Sequence, residues 1–348
     1  SHPVFLNPIL GKSPNPIRGR DANHIDTRTK SGGELIQESS LNDCDIVAFP
    51  RYFSYSNRDL LVKLRSQIPK NKKILVFQTS DIEIPIKIPG LLVRRRSIST
   101  KNPPNEFSLP AFPADLLTRN FGGEQKPAPT TNSQIPHLSY TGYAAPKKIS
   151  KRLQTHALHA IRRTMKFKIL QKIFQKNEYR LHLLSTAGAG KFFRGKIISK
   201  LQKQHAQKKI NFDFIERKSG QYFTTNAQSR DEFIQNLRQN PFALAIRGNG
   251  NYSFRLYEIM SLGRIPVFID TNSKLPFADQ IDYKNLFVRI PFDKKGEIAD
   301  HIQKFCEKNP DLALVQKKIR RIYEDFFIPT ATFQLLISET QNALTLKK

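Results

Sequence analysis

Acidic residues are scarce in this chain. Asp and Glu number 29 against 57 Lys and Arg, a formal net charge of +28 over 348 residues. The charged fraction, 25%, is ordinary, and 39% of the residues are hydrophobic. The imbalance therefore comes from missing acids on a chain that can still bury cores, which excludes a wholly disordered basic protein. Cysteine is nearly absent. Cys44 and Cys306 alone exclude a disulfide framework and a cysteine-based zinc site, and they fit a reducing compartment. No apolar run approaches the roughly 18–20 residues that cross a bilayer. The start, Ser1-His2-Pro3, does not read as a signal peptide.

The shortage of acids is local. Residues 147–210 hold eighteen Lys and Arg against the single Glu178, so a basic region sits on an otherwise ordinary body. A polar, Gly- and Pro-rich stretch, 122–133, reads as a linker. Before it, Asp45 to Pro50 reads as a buried strand, Arg58 to Ser66 as a helix and Lys73 to Gln78 as a strand. After it, strands are predicted at 138–142, 210–215, 241–246 and 265–269. Helices are predicted at 150–176, 194–204, 229–239, 254–262 and 311–326. This β–α–β order on both sides of the linker favours two parallel sheets covered by helices.

The most informative segment runs from Phe242 to Phe277. A short apolar strand leads into Arg247-Gly248-Asn249-Gly250-Asn251-Tyr252, with Ser253 placed as the N-cap of the next helix. Such a loop at a helix N-terminus suits a phosphate. Arg247 opens the loop and Arg255 lies in the first helical turn, where a cation opposes the macrodipole unless an anion is present. Glu258, one turn deeper on the same face, could accept hydrogen bonds from ribose. A plain surface turn with an Arg255–Glu258 ion pair is the competing reading.

Three other patterns carry less. Asp43-Cys44-Asp45 has the form of an Asp-x-Asp metal motif but leads straight into a strand. His156 and His159 are spaced for one helix face but lack a third ligand nearby. Ala187-Gly188-Ala189-Gly190-Lys191 lacks the full Walker spacing and reads as a turn.

The run from Arg247 to Glu258, followed by Leu262-Gly263-Arg264-Ile265-Pro266-Val267 and Leu275-Pro276-Phe277, resembles the exostosin-like glycosyltransferases. Pro104 to Phe112 and Arg230 to Ile234 are similar to the bacterial branch of that family. The resemblance implies an α/β protein of GT-B architecture, two Rossmann-like parallel-sheet domains facing across a cleft. The corresponding division is 1–121, a linker 122–136, a nucleotide-sugar-binding domain 137–325 with a basic helical insert 147–210, and a tail 326–348.

It also implies inverting transfer of a sugar from a nucleotide-sugar, expected to be a UDP-sugar, to a hydroxyl of a growing glycan. No cofactor and no obligatory metal are implied. Arg247 and Arg255, with Gly248 and Gly250, would hold the diphosphate, Ser253 a phosphate oxygen or the cap, and Glu258 the ribose. Arg217, which follows a strand, matches an arginine often found there and would flank the base or a phosphate; a solvent-exposed side chain is the competing reading. An inverting transfer needs a base. In such enzymes it comes from a first-domain loop, which makes Asp81 the first choice, with Glu83, Asp21 and His24 as rivals.

The expected setting is bacterial surface polysaccharide or lipopolysaccharide synthesis, in the cytoplasm, with a glycan or glycolipid acceptor. A GDP-sugar transferase of fucosyltransferase-like type and a basic nucleic-acid-binding protein are the alternatives. The basic segment lacks the aromatic interleaving that stacks bases, so no nucleic acid is expected. Its helix, 150–176, places Leu153, Ala157, Ile161, Met165, Ile169 and Ile173 on one stripe, with Lys151, Arg152, Arg162, Arg163, Lys166, Lys168, Lys172 and Lys176 beside it. That pattern fits peripheral contact with an anionic membrane on its inner face, or packing of the stripe on the second domain.

Overall fold

The computed structural model describes residues 4–6, 46–52, 58–83, 86, 88–124, 135–144, 149–164, 188–217, 227–329, 331–332, 335–336 and 338–339. Asp21, His24, the Asp43–Asp45 motif, most of the 122–133 linker and the basic residues 166–176 lie outside them.

The first sheet has five parallel strands in chain order, β1 Val4–Leu6, β2 Ile46–Tyr52, β3 Lys73–Gln78, β4 Leu91–Arg95 and β5 Glu106–Ser108. Helix α1, Arg58–Gln67, connects β2 to β3. The register of β2 on β3 slips between Phe49 and Tyr52. Pro50 lies in that interval and cannot donate to a ladder, so an irregularity there is expected. Strand β4 is buried along its whole length, as befits a parallel sheet covered on both faces.

The second sheet is built from β6 His137–Gly142, β7 Asn211–Glu216, β8 Phe242–Ala245, β9 Ile265–Asp270 and β10 Val288–Pro291. Its spatial order is β10-β9-β8-β6-β7, all parallel. The first strand of the unit is therefore central, and the winding reverses between β6 and β8. In such sheets ligands bind in the crevice beyond the carboxyl ends at that reversal.

The covering helices are α3 Ile149–Thr164, α4 Ala189–Ala206, α5 Ala227–Gln239, α6 Phe254–Ser261, α7 Tyr283–Leu286, α8 Ile298–Lys308 and α9 Leu312–Phe326. Ile197 and Leu201 of α4, Ile259 and Met260 of α6, and Ile319 of α9 are wholly buried.

One expectation needs correction. The residues read as a turn at 187–191 enter a helix at Ala189, five residues before its predicted start. Gly188, at φ 72°, is its N-cap; glycine takes that left-handed conformation without strain. On α3, Leu153 and Ala157 face solvent while Thr155 is buried, so these positions of the predicted stripe do not pack on the domain.

The sheets meet through a short helix and the chain end. Helix α2, Leu116–Phe121, follows β5, yet Leu109, Phe112, Leu116 and Leu117 share the core of the second sheet. Asp115 caps α2 and accepts from Arg320 of α9 at 2.7 and 2.9 Å. Later, Arg94 of β4 donates to the Leu336 carbonyl at 2.8 Å and pairs with Glu339. The carboxyl ends of the sheets face each other. The loop after β4 bridges to the loop after β9 through Ser99 and Ser273. The molecule is thus two parallel-sheet units that face each other across a cleft.

Candidate active site

The chain leaves β8 at the winding reversal and immediately makes the glycine loop. Gly248 N–H donates to the Tyr252 carbonyl at 3.0 Å, closing the loop on itself. Arg247 stiffens it from within. Its Nη1 donates to Asn251 Oδ1 at 3.0 Å and its Nη2 to the Asn249 carbonyl at 2.7 Å. The same Nη2 reaches across the cleft to Glu83, and the guanidinium lies 5.2 Å from the Phe193 ring centre. Arg247 is buried, so its charge is met by a carboxylate of the other domain.

Neither loop glycine has a positive φ, so backbone turn geometry does not require glycine at either position. A Cβ on Gly250 would lie 2.7 Å from Asp81 Oδ1 and 3.0 Å from Asp81 Cα. Gly250 is needed because the loop after β3 presses against it. A Cβ on Gly190 would lie 3.0 Å from the Gly248 carbonyl carbon, and Gly190 N–H donates to Asn249 Oδ1 at 3.3 Å. The N-terminus of α4 therefore abuts the loop as well. Its first turn carries no acid, and its partial positive charge faces the same crevice.

Asn251, absent from the sequence-based site, is the hub. Its N–H donates to Ser97 Oγ at 2.7 Å, and its Oδ1 also accepts from Thr271 Oγ1 at 2.6 Å. Ser253 stands at the N-cap of α6 but makes no side-chain capping bond.

On α6, Glu258 is 1% exposed and lies between two arginines. Arg255 Nε is 3.2 Å from Oε2 and Arg230 Nη1 3.5 Å from Oε1. The Arg255 guanidinium stacks 4.0 Å from the Phe233 ring centre. One carboxylate between two guanidiniums leaves the cluster net positive, and both arginines keep part of their side chains in solvent. Arg230 was visible in sequence only as part of a matching segment. Arg217 points elsewhere: it holds the start of α5 through Glu232 Oε2 at 2.6 Å and the Ser229 carbonyl at 3.1 Å.

At the end of β6, Tyr143 is buried, and that burial pushes its phenol above the ordinary range. Glu216 adds to the shift and Arg194 of α4 opposes it. Arg264, just past α6, is a tie beam. It donates to Gln316 Oε1 and the Arg238 carbonyl, both at 2.9 Å. Burial, with Arg238 nearby, pushes its pKa down to about 10. Among the described residues no group of three or more His, Cys, Asp or Glu could hold a metal ion.

The crevice so formed has one glycine loop, two helix N-termini and arginines on one side, and the carboxylates of Asp81 and Glu83 on the other. It can bind an anion and present a carboxylate to what lies beside it.

Comparison with known proteins agrees with the domain but not with a whole relative. Residues 165–304 match the model of the Exostosin GT47 domain. Exostosin-2 of Bos taurus is 25% identical over 114 residues, 31% of this chain and 16% of that protein. Exostosin-2 of Homo sapiens is 24% identical over 110 residues, 30% of this chain and 15% of that protein. The matched stretch is thus a small part of these relatives. The solved structure of TarM aligns over 92% of this chain and 58% of its own, with 12% identity and a TM-score of 0.36.

Proposed function

We propose that this chain, whose residues 165–304 match the model of the Exostosin GT47 domain, is an inverting glycosyltransferase that moves a sugar from a nucleotide-sugar to a hydroxyl of a growing glycan. The observation that carries this reading is the anion-receiving assembly at the winding reversal. There the Gly248–Gly250 loop, the N-termini of α4 and α6, and Arg255 and Arg230 converge. A nucleoside diphosphate has the charge and size for it, and aligned backbone N–H groups with guanidiniums neutralise it without a divalent ion.

In this reading Arg255 and Arg247 bind the diphosphate, with Glu83 leaving Arg247 as the donor arrives. Ser253, whose hydroxyl makes no cap bond, donates to a phosphate oxygen. Glu258 orients Arg255 and accepts from ribose. Asp81, pressed against Gly250, takes the proton of the acceptor hydroxyl. The acceptor oxygen forms its bond to the anomeric carbon as the bond to the diphosphate breaks, and the diphosphate leaves with that electron pair. Arg217, tied to Glu232, braces α5 beside the site.

A UDP-sugar is the expected donor. A glycan or glycolipid of a surface polysaccharide is the expected acceptor, and the cytoplasmic face of a membrane the expected place of work. Titration of the protein with UDP-, GDP-, CMP- and dTDP-sugars in EDTA tests the reading. Tight binding of one of them is expected, with hydrolysis or transfer following. Absence of binding to all four would overturn it.

A further inference from the structure

Helix α3 has an outward edge that the domain does not use. Ile149 is 74% exposed and Leu153, one turn on, 66% exposed. They are the two most exposed large apolar side chains among the described residues, and Ala157 continues the edge. Single exposed apolar residues are ordinary, but two bulky ones in line on one helix mark a surface kept for something.

The exposed charges described on α3 and on α4, which packs against it, have one sign. Lys151 and Arg152 are exposed on α3, and Lys196, Lys200 and Lys203 on α4. Solvated helix faces ordinarily mix both signs. From 147 to 210 the only acid is Glu178.

The edge also lies close to the crevice. Gly188, which caps α4, packs on the middle of α3: a Cβ there would be 3.2 Å from the Thr155 carbonyl oxygen and 3.3 Å from Leu158 Cβ. His156 meets Phe192 of α4 edge-on at 5.2 Å. Two residues past Gly188, Gly190 abuts the glycine loop.

We infer that α3 is a docking edge for an anionic lipid bilayer, with Ile149 and Leu153 entering the headgroup boundary and the surrounding lysines and arginines resting on lipid phosphates. The pairing of exposed aliphatic side chains with cations chooses lipid over nucleic acid. A phosphate backbone has no use for a bare Ile and Leu, and the outward positions Ile149, Leu153 and Ala157 carry no aromatic ring for a base. No helix among the described residues is long and apolar enough to cross a membrane, so the contact would be peripheral. It would set the crevice beside a lipid-linked acceptor, but the docking itself does not depend on the transferase reading.

The test is sedimentation of the full chain with vesicles of phosphatidylcholine alone and of equal parts phosphatidylcholine and phosphatidylglycerol. Binding is expected only to the anionic vesicles and should weaken with salt. Leu153→Ser should reduce it by about tenfold or more. Lys151→Gln and Arg152→Gln should each reduce it about fivefold. Leu153 and Lys151 are exposed, so the melting temperatures of those two variants should match the parent. Equal binding to neutral vesicles, unaltered binding of Leu153→Ser, or displacement from the vesicles by duplex DNA at equal phosphate concentration would overturn the inference.

Discussion

Arg247, at the end of a strand of the second sheet, is ion-paired with Glu83, in a loop of the first. The pair crosses the crevice at the winding reversal and places a carboxylate where the proposed donor would place a phosphate. Both domains therefore contribute to one electrostatic site before any donor arrives.

Removing the internal anion should favour the external one. Glu83→Gln is expected to raise affinity for UDP or for the cognate nucleoside diphosphate by up to about tenfold, because the donor no longer competes with a carboxylate for Arg247. Arg247→Ala should lower it and loosen the loop. Isothermal titration reads both. Equal losses in the two variants would make Glu83 a donor ligand instead.

Gly250→Ala is expected to cost about 1–3 kcal/mol, since the new Cβ meets Asp81 at backbone and carboxylate alike. Gly248→Ala should change stability little, because its nearest neighbour would be the Tyr252 carbonyl at 4.0 Å. Denaturant melts of the two variants side by side check the contrast. Similar costs at both glycines would mean that the approach of Asp81 is not what requires glycine.

Asp81→Asn should leave donor affinity close to that of the parent and depress turnover severely. A base acts in the transition state and not in donor binding. Turnover that survives this change and fails with Glu83→Gln would move the base to Glu83.

Acid should weaken the join between the two units at Asp115. Burial pushes its carboxyl up, but hydrogen bonds from Arg320 and Thr118 and the charge of Arg320 outweigh that and hold it below the ordinary range. The folded value lies below the unfolded one, so the stabilisation is present above about pH 4 and is lost as pH falls through the folded value. Asp115→Asn should cost about 1–3 kcal/mol near neutral pH. The gap from the parent should narrow in strong acid. Thermal melts across that range measure it; a gap that stays constant would put the loss in packing.

Much of this was legible in local pattern. The strand Lys73–Gln78 was read to the residue, because the apolar run Ile74-Leu75-Val76-Phe77 stands between turns, and Gly263 marks the end of α6 with φ 62°. The alternation of strands and helices gave the two parallel sheets. What was missed is non-local. The 2-1-3-4-5 winding of the second sheet comes from crossovers, not from any one segment. Asn251 is a hub only because Ser97, Arg247 and Thr271 converge on it from three places in the chain. Gly190 looked like a turn residue, yet it serves the approach of a helix to a loop 59 positions later. Arg230 needed the fold to bring it beside Glu258.

The most direct measurement is donor binding with and without the α6 pair. The protein, Arg255→Ala and Glu258→Ala would each be titrated in EDTA with the nucleoside diphosphates UDP, GDP, CDP and dTDP, following melting temperature and heat. The account predicts that one of them binds the parent and raises its melting temperature by mass action. It predicts that both variants stay folded and lose about 30- to 1000-fold in affinity, the effect of removing a charge-assisted contact of about 2–4 kcal/mol. Undiminished affinity in both variants, or no nucleoside diphosphate bound by the parent, would contradict it.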